Sequence, residues 1–150
     1  MDIYDLFSYD HIVILLKLLV AALLGGLIGY DREKTGHPAG LRTHMIVCVT
    51  STFLITAFQS MMATDSLARI GAAVMTGIGF LGAGTILVHG KEIHGLTTAA
   101  TVWGMAGIGL IVGIGVYFEA VVATILFWIV LNLRSIEPSK NGKLKKKGVR

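Results

Sequence analysis

Five long apolar stretches dominate this chain of 150 residues, at Ile12–Tyr30, Thr43–Met62, Ile70–Val88, Leu96–Ile114 and Val116–Leu133. Crossing the hydrocarbon core of a bilayer takes about 20 apolar residues in helical form. Inside that core no water is available to the backbone, so amides and carbonyls must bond to each other and each stretch is expected to be an α-helix. Composition agrees. Of the residues, 54% are apolar or aromatic, 19 are glycine and only 15% are charged, where a soluble domain carries about 25% charge. This excludes a soluble enzyme domain and a disordered chain. Cys48 is the single cysteine, which also excludes a disulfide framework and a cysteine metal cluster. The expected class is an all-α integral membrane protein with five transmembrane helices, residues 1–133 forming the membrane domain and residues 134–150 a basic tail.

The leader before the first stretch carries Asp2, Asp5 and Asp10, and no A-x-A site follows it. That pattern reads as a membrane span and not as a cleaved signal peptide. Orientation follows from the placement of Lys and Arg, which favours the cytoplasmic side. With the N-terminus outside, the cytoplasmic segments hold Arg32, Lys34, Arg42, Lys91 and seven residues of the tail, while the external segments hold only Arg69. The expected topology is N-terminus out and C-terminus in. A basic tail behind a long apolar chain points to anionic lipid and not to nucleic acid.

Twelve of the 19 glycines lie between Gly71 and Gly115, and the second and fifth spans contain none. Small residues let helix backbones approach closely in a membrane. The small stripes Ala72, Thr76, Gly79, Ala83 and Thr97, Ala100, Gly104, Gly107, with Ala22, Gly25, Gly26 and Gly29, therefore predict a core of spans one, three and four. Phe118, Phe127 and Trp128 mark span five as lipid-facing. The run Gly77, Gly79, Gly82, Gly84 is expected to serve packing; the alternative is a partly unwound segment offering carbonyls to a ligand. Its match to G-x-G-x-x-G is a decoy. A dinucleotide site needs a preceding strand and an acidic residue about 20 positions on, whereas the first one here is Glu92, ten positions after Gly82.

Two ionisable residues lie within spans, Lys17 and Glu119. Both sit near the outer side, Lys17 about 8 Å in at 1.5 Å per residue, and are expected to snorkel to the interface or to pair. The middle of every span lacks the carboxylate or histidine relay of a proton-coupled carrier. Asp65 and Arg69 open span three at an i, i+4 spacing, where the aspartate would complement the helix dipole. The loop DREKTGHPAGLR supplies Asp31, Arg32, Glu33, His37 and Arg42, with His44 just beyond, and the second loop supplies Lys91, Glu92 and His94 to the same cytoplasmic side. Lys and Arg alone would anchor the interface, so the added carboxylates and imidazoles make this face the candidate binding or sensing surface. Thr52, Thr56 and Gln59 form a polar seam on span two. No nucleophile motif, zinc motif or phosphate-binding loop appears, which points away from an enzyme.

Three runs in order resemble the signatures of the MgtC/SapB membrane family. They are Gly26-Leu27-Ile28-Gly29 followed by Arg32-Glu33 and His37-Pro38-Ala39-Gly40-Leu41-Arg42-Thr43-His44; then Asp65, Arg69-Ile70 and Gly77 to Gly84; then Gly95-Leu96-Thr97-Thr98-Ala99-Ala100-Thr101 with Trp103. Asp31 stands where the family commonly has glutamate, and His94 where it commonly has Lys or Arg. Many members continue into a soluble C-terminal domain, whereas a basic tail alone is expected here. The resemblance implies a five-helix, non-enzymatic inner-membrane protein, associated with low-magnesium growth, stress adaptation and virulence. It would act by modulating other membrane complexes, as a homo-oligomer or with a protein partner, and no cofactor is expected. The alternative is a transporter or channel for Mg²⁺ or another cation, formed by one chain or by a homo-oligomer. Its pore would be lined by the Gly77–Gly84 run and the hydroxyls of Thr97, Thr98 and Thr101.

Overall fold

The computed structural model describes residues 9–59, 64–89 and 92–133. Five helices make up most of it: α1 (Tyr9–Lys34), α2 (Leu41–Gln59), α3 (Thr64–Ala83), α4 (Leu96–Ile114) and α5 (Tyr117–Asn132). The acidic leader through Ser8, Lys91 and the basic tail fall outside the described residues. The protein is an all-α membrane protein: α1 to α4 are each long and apolar enough to cross a bilayer. The fifth helix is apolar but has only 16 residues, about 24 Å at 1.5 Å per residue.

Glycine sets the helix ends. After α1, Gly36 takes φ 75°, its N–H bonds to the Glu33 carbonyl at 3.1 Å, and the His37 N–H reaches back to Arg32 at 3.0 Å. This is a Schellman stop, with Pro38 beyond it to prevent continuation. Gly115 (φ 95°) closes α4 in the same way, through Gly115 N–H to Val112 and Val116 N–H to Ile111. The chain then turns directly into α5, with only Gly115 and Val116 between the two helices.

The third span departs from expectation. Helix α3 stops at Ala83, and Leu87–His89 and Glu92–His94 pair as an antiparallel hairpin, β1 and β2, with Val88 opposite Ile93. The apolar run continues through Leu87 and Val88, which is why it read as helix. Turn bonds from Thr85 to Gly82 and from Ile86 to Ala83 end the helix earlier, and β-branched residues suit the strands that follow.

The packing also corrects the expected core. The main interfaces are α1 on α2 and α2 on α4, and the buried cluster draws on Ala21, Ile28, Val47, Cys48, Val102, Met105, Ile108 and Val112. Span two, without a glycine, is central. Span three is peripheral: along comparable stretches 6% of α3 is buried against 56% of α4. The reason is that the glycines lie on the partners of α2. A Cβ at Gly25 would come within 2.8 Å of the His44 carbonyl and one at Gly29 within 2.7 Å of Leu41 Cα, while Gly109 and Gly113 of α4 leave no room for a Cβ beside Cys48 and Ile55. Two notched helices thus close on a glycine-free one. The small stripe of α3 is mostly open: among the described residues nothing stands within 4 Å of a Cβ at Gly77 or Gly79. Phe127 of α5 rests on Gly104, whereas Phe118 and Trp128 are exposed.

Candidate functional site

At the end of the bundle where α1 turns into α2, the polar residues of the DREKTGHPAGLR loop take separate roles. Arg32 sits in the last turn of α1 and is turned inward, only 4% exposed. Its Nη2 donates to Thr98 Oγ1 of α4 at 3.3 Å, while its Nε, also buried, has no hydrogen-bond partner among the described residues. Glu33 turns back over the loop, where its Oε2 accepts the Leu41 N–H at 2.8 Å and so caps the first turn of α2. A Cβ at Gly40 would lie 2.7 Å from that carboxylate oxygen, so a side chain at this loop position would force Glu33 to shift.

His44 is fully buried one turn into α2. Its Nδ1 lies 2.8 Å from the Gly40 carbonyl and its Nε2 3.1 Å from Thr101 Oγ1. A carbonyl can only accept, so Nδ1 carries the proton; the Thr101 hydroxyl lies within hydrogen-bond reach of both Nε2 and the Thr98 carbonyl, to which it donates at 2.9 Å. Arg32 and His44 thereby tie α1 and α2 to two threonines one turn apart on α4. His37 is half-buried in the loop, with Nδ1 2.8 Å from Thr35 Oγ1. Burial, and then the neighbouring Arg32 charge, hold it below the ordinary histidine value; the Arg32 carbonyl and Asp31 pull the other way.

The other predicted residues divide. Arg42 is exposed, and Asp31 is half-buried. Glu92 and His94 lie on exposed β2, 3.5 Å apart, and His94 joins Arg32, His37, Thr97 and Thr98 around a cleft of about 270 Å³. Asp65 falls in the first turn of α3, where its charge complements the helix dipole, and both it and Arg69 are exposed.

The pore lining of the alternative reading is divided within one chain. Thr98 and Thr101 are buried toward α1 and α2 as partners of Arg32 and His44, whereas Thr97 is exposed. Gly77 and Gly79 face outward, and Gly82 lies against Ala99. The Gly77–Gly84 run is helical through Ala83, so unwinding is confined to Gly84 and Thr85.

A second polar cluster near the opposite end replaces the expected snorkelling of Lys17 or its pairing with Glu119. Lys17 is 8% exposed; its Nζ donates to the Gly113 carbonyl at 2.6 Å and to Gln59 Oε1 at 3.4 Å. The Thr56 hydroxyl donates to the same carbonyl, and Glu119 is exposed. The last carbonyls of α4 lack intrahelical donors and carry the negative end of the dipole, which draws the ammonium inward. The signal legible in the sequence was the seam Thr52, Thr56, Gln59, whose partners on α4 it left open.

A family model described as the MgtC family matches residues 18–137. An uncharacterized protein of Haemophilus influenzae is 43% identical over 140 residues, covering 85% of this chain and 58% of its own. Protein MgtC of Salmonella typhimurium is 45% identical over 113 residues, covering 75% of this chain and 48% of its own. "Putative magnesium transporter YhiD" of Escherichia coli is 39% identical over 127 residues, covering 79% and 59% respectively. The chain spans about half the length of these curated relatives. No solved structure matches it.

Proposed function

The chain belongs to the MgtC family, and from that membership we propose that it is a non-enzymatic inner-membrane protein of magnesium and stress adaptation that acts by modulating other membrane complexes. The observation that carries this reading is the charge of the interior. Among the described residues, the buried charged side chains are Lys17 and Arg32, and the other buried polar ones are His44, Ser51 and threonines. A path for Mg²⁺ calls for oxygen ligands in near-octahedral array, and two buried cations repel it. The carbonyls of Gly109 and Gly113, which could serve such a path, already accept hydrogen bonds from Thr52 and Thr56. In this reading the N-terminus is outside, and the loop end is the cytoplasmic contact face, with Asp31, Glu33, His37 and Arg42 at its surface and Arg32 and His44 buried beneath them.

The second reading is a cation transporter formed by several copies. It is favoured by the open small face of α3 at Gly77 and Gly79 and by the transporter name given to YhiD. Reconstitution in liposomes separates the two. The regulatory reading expects no saturable Mg²⁺ entry from folded protein, and expects Arg42→Ala and Asp65→Ala to abolish complementation of a low-magnesium growth defect without loss of insertion. Saturable entry lost in Asp65→Ala would establish the transporter instead.

A further inference from the structure

The cleft at the loop end brings together groups that share one ligand chemistry. Its walls are Arg32 at the end of α1, Gly36, His37 and Pro38 of the loop, His94 of β2 and the start of α4 at Gly95, Thr97 and Thr98. Helix α4 is 19 residues long, and among the described residues its N-cap, Gly95, offers no side-chain hydrogen bond. Its first ladder bond runs from the Ala99 N–H to the Gly95 carbonyl. The amides of Leu96, Thr97 and Thr98 therefore precede the ladder, where a helix presents donors and the positive end of its dipole.

The independent observation is Arg32. It lines this cleft, is 4% exposed, and keeps a buried Nε without a partner among the described residues while Nη2 is held by Thr98. A buried guanidinium donor left unsatisfied is costly, and a planar fork at a helix N-terminus suits a tetrahedral oxyanion. Nearby carboxylates do not supply that partner. Glu33 accepts from Leu41 N–H, Glu92 lies beside His94 on the exposed hairpin, and no ion pair joins Asp31 to Arg32 among the described residues.

We propose that this cleft between the α1–α2 loop, β2 and the start of α4 binds a phosphate group, carried by free phosphate or by a phospholipid headgroup. The Arg32 guanidinium and the first amides of α4 bond the oxyanion, and His37 and His94 close over it. The loop end becomes a ligand-sensing surface, because the ligand joins α1, the loop and the hairpin to α4. The inference stands on the cleft's chemistry and holds under either reading of function.

The test uses the full chain in dodecyl maltoside micelles, free of phosphate. The single cysteine, Cys48, is fully buried, so its reaction with maleimide on heating reports opening of the bundle. One arm titrates inorganic phosphate at constant ionic strength, and the other adds phosphatidylglycerol to the micelles. We expect a saturable rise of the Cys48 midpoint in at least one arm; which arm responds identifies the source. Thr97→Glu places a carboxylate at an exposed position in the same cleft, where it complements the helix dipole. It should raise or maintain the midpoint without ligand and abolish the ligand-dependent rise. Arg32→Lys keeps the charge but loses the Nε donor, and should weaken binding about tenfold, as expected for one charge-assisted bond. No rise in either arm, or a rise in Thr97→Glu equal to that of the parent chain, would overturn the proposal.

Discussion

Single residues here act by holding helices together through groups that the apolar runs hide. Lys17 ties α1 to the end of α4 through the Gly113 carbonyl. Lys17→Met should destabilise the bundle by about 1–3 kcal/mol, since a buried carbonyl loses a charged donor; the midpoint of Cys48 reactivity measures it. Replacing Glu119 should leave that midpoint unchanged, as it is exposed. His37 gives a pH dependence of known sign. Its folded-state value lies below 6.5 because of burial and then the Arg32 charge, so the unfolded chain binds more protons over that interval. The stability it contributes is complete above the ordinary value and is lost as pH falls below it toward the folded value. The Cys48 midpoint should fall in that acidic window, and His37→Gln should reduce the fall.

Among elements, a glycine matters by what stands opposite it. Gly109 and Gly113 face the backbone of α2, and Gly79 faces open space. Gly109→Ala should cost about 1–3 kcal/mol through overpacking. Gly79→Ala should be neutral or stabilise the single chain by about 0.5–1 kcal/mol, since alanine loses less conformational freedom in a helix. If copies associate through α3, Gly79→Leu should disrupt that association while the Cys48 midpoint stays in place; cross-linking in membranes reads the first effect. The turns were legible as elements: Gly36 with Pro38, and Gly115 alone, mark helix stops in the sequence. The β1–β2 hairpin was not, because Leu87 and Val88 prolong the apolar run that precedes it.

For the whole molecule, the excess of Lys and Arg on one set of segments sets the expected orientation. A cysteine at position 140, in a chain whose Cys48 is replaced by Ser, should be labelled only from the cytoplasmic side, and one at position 66 only from outside. The reverse pattern would move the loop-end site to the other face. The site was half visible from sequence: Arg32, His37, His44 and His94 stood out as charge and imidazole in loops of an apolar chain. Thr98 and Thr101 carry no such mark and are offered by the sequence only as packing positions or, in the alternative reading, as pore lining, because a hydroxyl on an apolar helix does not declare its partner.

Hydropathy and chain order were sufficient for the class of protein, for four long helices and for the tight α4–α5 turn. These follow from local physics: a backbone without water must be helical, and a glycine, free to take positive φ, readily closes a helix. The choice of α2 over α3 as the central helix came only with the tertiary structure. Small residues permit close approach but do not name the neighbour, and the notches at Gly25, Gly29, Gly109 and Gly113 act on a helix that has none. The same holds for Lys17 and Arg32. Their charges are plain in the sequence, but their partners, Gly113 and Thr98, lie 96 and 66 residues away, and only packing decides which carbonyl or hydroxyl meets a buried cation.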